Sequence, residues 1–361
     1  MDRYHGLDSM RAAMMLLGIY LHVVVGYSGD GNWPYIDPHP TPVLNWTLGL
    51  IHAFRMPAFF VMAGFFGALL WTRRGARGFV VNRAQRVLAP FALFWLLIFP
   101  PLIVLLVPAL TVEEAIKRLH PGHLWFLEYL LLLYLIGMAW AGWIGKADAA
   151  FRRVLQGWCG PLVWAAASWP ALAVMRGNLK DCDGFVPELP ILAAYVPPFL
   201  FGWLLYRNRD LLRVFGERVW WHGAAAVAAF WIFRSVPGRT MPLPKATANV
   251  VFCWLAIFFC TGLFLRYFDR PSAWRRYVSD ASYWMYIMHL PVVVGLQFGL
   301  AGVGLPALAM IPIVLVAATV VLLVSYDWLV RPTWVGALLN GRRFSRFRVF
   351  RIEYGRAAAT D

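Results

Sequence analysis

The chain has 361 residues, 61% of them hydrophobic and 16% aromatic, with 19 tryptophans. A soluble domain is nearer about 45–50% apolar, so the composition excludes an ordinary soluble protein and describes one integral membrane domain. The net charge of +15 invites a nucleic-acid reading, but the basic residues are gathered in short stretches between apolar runs, as membrane topology requires, and nucleic acid is not an expected partner.

Apolar runs of about twenty residues predict ten transmembrane helices, near 8–28, 43–71, 87–108, 122–145, 157–176, 190–206, 219–234, 247–266, 280–300 and 306–330. The first starts close to the N-terminus without a small-residue cleavage site, so it reads as a retained helix rather than a signal peptide. With the N-terminus placed in the cytoplasm, 25 Lys and Arg fall in inner segments and 7 in outer loops (Lys117, Arg118, Arg176, Lys180, Arg234, Arg239, Lys245). That asymmetry puts both termini inside. The expected organisation is an all-α membrane domain over 1–335 and a basic cytoplasmic tail over 336–361, whose GRRFSRFRVFRIEYGR stretch suits anionic lipid. Cys159, Cys182, Cys253 and Cys260 form no disulfide framework or metal-ligand spacing, and no metal site is expected. No internal repeat is evident, which weighs against an inverted-repeat transporter.

Polar residues inside these spans carry the functional signal. In the first, MRAAMMLLGIYLH places Arg11 near the cytoplasmic mouth and His22 toward the outer half, separated by a helical rise of about 16 Å. In the second, LGLIHAFRMPAFFVMAGFFGALLW carries Arg55 near its middle and His52 one turn earlier. A central arginine costs about 2.5–3.5 kcal/mol, so it should face a partner or a ligand, Glu128 being one candidate for a structural pair. Gly64 and Gly67 allow close helix packing.

The following RRGARGFVVNRAQRVLAP holds Arg73, Arg74, Arg77, Arg83 and Arg86. Arg83 and Arg86, three apart, read as a fork on one helical face that suits a multiply charged phosphate. Topology and lipid headgroups account for the same charges equally well. The fourth span opens PGHLWFLEYLLLLYL with His123 near the outer end and Glu128 well inside, and the ninth carries His289 before Pro291. Asp327 reads as interfacial. Together these residues predict a polar cavity within the membrane domain.

The same residues resemble a family. LDSMRA followed by Arg11-x10-His22 is similar to the first-helix signature of the acyltransferase-3 family of membrane O-acyltransferases. FRMPAFFVMAGFF resembles its second-helix segment, with Ala63 where serine is frequent. NRAQRVLAP resembles its R-x-x-R-x-x-x-P element, GHLWFLEYLLLLY its fourth-helix element and SDASYWMYIMHLP its histidine-ended segment. The motifs follow family order over residues 7 to 291, and the FRMPAFF and HLWFLEYL wording looks most like the branch of succinyltransferases of osmoregulated periplasmic glucans.

The resemblance implies a ten-helix acyltransferase fold in the bacterial inner membrane. It also implies transfer of an acyl group, succinyl in that branch, from cytoplasmic acyl-CoA to hydroxyls of a periplasmic glucan or related carbohydrate. Succinyl-CoA is then donor substrate rather than resident cofactor, and the partners are acyl-CoA, the carbohydrate and membrane lipid. The oligomeric state is left open, a homodimer included. The expected donor residues are Arg11, Arg73, Arg74, Arg83 and Arg86. The expected catalytic residues are His22 as general base, with Arg55, His123, His289 and Glu128. Trp33 and Tyr35 are candidate sugar-stacking or membrane-belt residues. The alternatives are O-acetylation of another cell-surface polysaccharide, and a carbohydrate or anion transporter using the same cavity.

Overall fold

A computed structural model describes residues 4–29, 33–106, 120–182 and 184–345, without the side chains of 102–106. Lys117, Arg118 and the tail from 346 onward lie outside the described residues. Among the described residues every regular element is helical. The helices are α1 (His5–Ser28), α2 (Asn45–Arg83), α3 (Ala89–Leu106), α4 (Trp125–Trp140), α5 (Asp148–Gln156), α6 (Gly160–Val174), α7 (Leu189–Arg207), α8 (Leu212–Glu217), α9 (Val219–Ser235), α10 (Pro242–Tyr267), α11 (Ala273–Gly299), α12 (Ala307–Ser325) and α13 (Trp334–Asn340).

Each of the ten apolar runs falls on a helix, but seven helical stretches among the described residues are long and apolar enough to cross a membrane. The difference has identifiable sources. The second and third runs belong to one 60-residue stretch, Pro42–Pro101, because the arginine segment between them is helical rather than a loop. The runs at α6 and α9 give helices of 15 and 17 residues, short of the roughly 20 residues that span a bilayer without thinning it.

Two features of α2 shape the site. At Gly75 the backbone takes φ 63° and ψ −176°, a conformation that is close to glycine-only. The helix therefore breaks directly after Arg74. After Arg83 the chain makes one π-helical turn, Ala84–Leu88, before α3 begins. At its other end α2 packs closely on α7: a Cβ at Gly64 would strike the Phe199 carbonyl, and one at Gly202 the Val61 carbonyl. Gly67 is less tight and faces α4, a Cβ there coming within 3.0 Å of the Tyr134 ring. Removing side chains lets the two backbones approach where apolar burial gives helices no reason to associate.

Two apolar cores flank this pair. One gathers α2, α4, α7 and α10, with Phe60, Phe65, Tyr195, Phe199, Phe201 and Trp254 buried. The other joins α1, α11 and α12 through Ile19, Val23, Met285, Ile287, Val314 and Leu322. The site lies where they meet.

Candidate active site

A cavity of about 900 Å³ runs between α1, α2, α4 and α11, bounded by the π turn and by the segment that follows α13. Helical spacing explains its walls. From α11 come Ser279, Ser282, Tyr283, Tyr286, His289 and Leu290, all at steps of three and four. From α2 come Arg55, Phe59, Met62, Phe66, Leu70 and Arg74 on the same rule. Arg11 and His22 of α1 both line it, and α1 is continuous between them. Of the ten residues expected at the site, eight line this cavity. Arg73 and Glu128 do not.

At one end three imidazoles meet. The His289 ring lies 4.9 Å from that of His22 and 4.9 Å from that of His123, centroid to centroid. His289 Nδ1 bonds the Tyr286 carbonyl at 2.6 Å, and His123 Nε2 bonds the Ile287 carbonyl at 2.9 Å. A carbonyl only accepts, so those two nitrogens carry the hydrogens. This leaves His289 Nε2 and His123 Nδ1 free, and both are buried without a partner, as is His22 Nδ1. Buried ring nitrogens are ordinarily bonded. Here three unbonded ones meet in a single cluster whose residues line the cavity. Tyr286 braces the cluster, its hydroxyl donating to the His123 carbonyl at 2.6 Å.

Arg55 lies between this cluster and the other end. Its guanidinium rests against Gly18, four residues and about 6 Å of rise before His22. Arg55 is 8% exposed, its Nε has no partner, and no carboxylate lies within ion-pair distance among the described residues. The suggested structural pair with Glu128 does not form; one Glu128 oxygen is itself buried and unbonded. The acid that acts on Arg55 electrostatically is Asp181, on the α6–α7 loop, which lines the cavity. His52 holds that loop, bonding the Leu179 carbonyl at 2.8 Å.

At the opposite end the arginines are already engaged. Arg11 donates to Ser279 Oγ at 2.7 Å and pairs with Asp8 at 3.3 Å. Arg83 donates to the Tyr134 hydroxyl at 2.9 Å and to Asn82 Oδ1 at 2.6 Å. Arg86 donates to the carbonyls of Ala337 and Leu338, at 2.8 and 3.1 Å. It thereby caps the C-terminal turn of α13, where carbonyls lack intrahelical partners. The expected one-face fork is thus opened out. A π turn rotates less per residue than an α turn, so a spacing of three no longer returns to one face. Both arginines still line the cavity, joined by Arg74 and Arg342. Asp327, read as interfacial, is 2% exposed and accepts from Arg331 at 3.4 Å.

Several site residues were not singled out from sequence. Tyr286 was visible in principle, three residues before His289 and so on its face. Gln297, an isolated amide in the apolar run VVVGLQFGL, also carried a signal. Arg342 belongs to the basic GRRFSRFRVFRIEYGR stretch, noted in the sequence for anionic lipid, whereas Asp181 carried no signal because a connecting segment brings it to the cavity.

Residues 4–329 match the acyltransferase domain that defines the acyltransferase-3 family. Proteins called glucans biosynthesis protein C from Salmonella paratyphi B, Salmonella dublin and Salmonella enteritidis are each 27% identical to the chain over 327 residues, covering 80% of it and 82% of their own length. No solved structure gives a significant match. The apolar helices and this match describe a multi-pass membrane protein. The chain belongs to the acyltransferase-3 family and is an acyltransferase of the membrane, similar to the glucans biosynthesis protein C branch.

Proposed function

We propose that the protein moves an acyl group, succinyl in the first instance, from cytoplasmic acyl-CoA to a hydroxyl of a periplasmic glucan, in the bacterial inner membrane. The single observation that supports this reading is one continuous cavity with arginines at one end and unpartnered imidazoles at the other. Its volume falls within the range of about 300–1,000 Å³ usual for small-molecule sites. The ten-span topology with both termini inside, read from the basic-residue asymmetry, puts the arginine end in the cytoplasm.

In this reading the donor's phosphates meet Arg74, Arg83 and Arg86, with Arg11 at the entrance. Arg73 points away from the cavity and contributes to the surrounding positive field. The pantetheine arm runs inward along α1, whose rise of about 16 Å from Arg11 to His22 sets the depth of the thioester. The acceptor hydroxyl enters from the periplasm. His22 takes its proton while the oxygen attacks the thioester carbon; the ester C–O bond forms, the C–S bond breaks, and the thiolate leaves as CoA after taking up a proton. His123 and His289 orient the acceptor.

Arg55 pairs with the free carboxylate of a succinyl chain. A buried guanidinium with no carboxylate at ion-pair distance is costly, Asp181 acting on it only from farther off, and a dicarboxylic acyl group would supply a direct partner. Glu128 lies off the cavity, and its role is reduced to supporting α4. Transfer is direct in this scheme, with no side chain acylated on the way.

The test is the purified protein in liposomes, supplied with succinyl-CoA and a linear glucan. Ester formation with release of one thiol per ester is the expected result. Glucan movement across the bilayer without thiol release would instead identify a transporter.

A further inference from the structure

Many catalytic histidines are held by a hydrogen-bonded carboxylate. Here His22 has none: its Nδ1 is buried and unbonded, and no hydrogen bond from either ring nitrogen is formed among the described residues. What meets its ring is an indole. Trp33 lies nearly parallel to it, with centroids 5.2 Å apart and an interplanar angle of 19°.

The indole is fixed on its far side. Trp33 Nε1 donates to Gln297 Oε1 at 2.8 Å, and Gln297 Nε2 donates to the Val23 carbonyl at 3.0 Å. Gln297 is fully buried at 0% exposure. One amide therefore ties the tryptophan to the backbone of α1 beside His22. Residues 35, 37 and 41 beyond it are held as well. Asp37 N bonds the Gly26 carbonyl at 2.9 Å, Thr41 N bonds the Tyr27 carbonyl at 2.9 Å, and the Tyr35 ring packs edge-on against Phe298 at 5.6 Å. Gly26 leaves room for the arrangement: a Cβ there would come within 2.5 Å of Gln297 Nε2 and 3.2 Å of the Trp33 ring.

We propose that Trp33, clamped by Gln297, is the positioning residue for His22, taking the place of the usual carboxylate. The inference rests on His22 as the base. When His22 accepts the acceptor's proton its ring becomes a cation, and an aromatic face in a dry site attracts a cation strongly. A stack also fixes the plane of the ring without a hydrogen bond to either nitrogen. The indole face turned to His22 is then closed to a sugar.

The test uses the full-length protein reconstituted in liposomes. Trp33→Leu should lower kcat about thirtyfold, the scale of a desolvated cation–aromatic contact, with the KM of donor and acceptor unchanged. Trp33→Phe keeps a ring face and should recover most of the loss. Gln297→Met should lower kcat several-fold, and the double variant Trp33→Leu/Gln297→Met should be no slower than Trp33→Leu alone, because the two residues act as one unit. A rise in acceptor KM at constant kcat would return Trp33 to sugar binding and overturn the proposal.

A readout independent of activity is carbethoxylation of His22, followed by mass spectrometry of its peptide. The rate should rise several-fold in Trp33→Leu, and an unchanged rate would show that the indole does not cover the ring. Should His22→Ala retain full activity, the base assignment fails, while the labelling still reports on the stack.

Discussion

The two ends of the cavity solve opposite problems with polar residues. At the histidine end, one ring nitrogen of each of His22, His123 and His289 and the Arg55 Nε are buried without partners. Arg55 makes no hydrogen bond or ion pair among the described residues, although Arg11 Nε and Arg83 Nε at the other end are unbonded too. At the arginine end, Arg11, Arg83 and Arg86 each already donate to a hydroxyl, an amide oxygen or a helix C-terminus. An unsatisfied buried polar group costs about 1–3 kcal/mol, which the proposed substrates would offset by completing the cluster. Arginine has five donors, and two or three spent on the protein leave others for phosphate while fixing the plane of the guanidinium. In the proposed function the first end carries the chemistry. The second is built first as scaffold.

That contrast can be broken from either side. The largest effect belongs to His22→Ala, expected to lower kcat by about 10²–10⁴-fold, with donor binding by isothermal titration unchanged. Normal turnover would remove His22 from the reaction. Next is Arg55→Lys, expected to cost more with succinyl-CoA than with acetyl-CoA by about tenfold, because a lysine cannot form the paired bonds of a guanidinium with a carboxylate. Equal losses would argue against carboxylate recognition.

At the arginine end, Gly75→Ala forces a side chain into a backbone conformation that costs about 1–3 kcal/mol. A Cβ there meets nothing within 4 Å, so the strain is purely conformational. The expected result is a raised KM for acyl-CoA at nearly constant kcat, since the turn aims Arg74 at the cavity. The smallest effect is remote from the site. Arg152 bonds Asp210 at 2.9 and 2.6 Å and holds its carboxyl below its usual range. A depressed acid stabilises the fold above its unfolded pKa and loses that contribution as pH falls through the folded one. The pair is exposed, so Asp210→Asn should shift the thermal midpoint by the equivalent of less than about 1 kcal/mol at neutral pH, and by less in acid.

Much of the site was legible because polar residues in lipid are expensive and therefore conspicuous. Arg11, His22, Arg55, His123 and His289 stand out against apolar neighbours, and helical spacing places them on interior faces. The arginine segment was legible in composition but not in geometry. Nothing in NRAQR announces a π turn, and the one-face fork assumed a regular helix that the chain does not keep. Arg86 reaches α13, 251 residues further on, a partner that local periodicity cannot supply. Trp33 shows the same limit from the other side: its type suits a sugar or a membrane belt, and only the fold turns its face onto His22.

The amino-acid sequence by itself determined a helical membrane protein, the order of its apolar runs, the family and the set of costly polar residues. Those follow from composition, from period and from the price of charge in hydrocarbon. The tertiary structure decided which of these residues meet. It joined eight of the ten in one cavity, left Glu128 and Arg73 outside it, and bound Gln297 to Trp33 across 264 positions of chain. Such contacts depend on which helix faces are brought together, and helix association in a membrane is settled by close packing at residues such as Gly64 and Gly202 rather than by polarity along the chain.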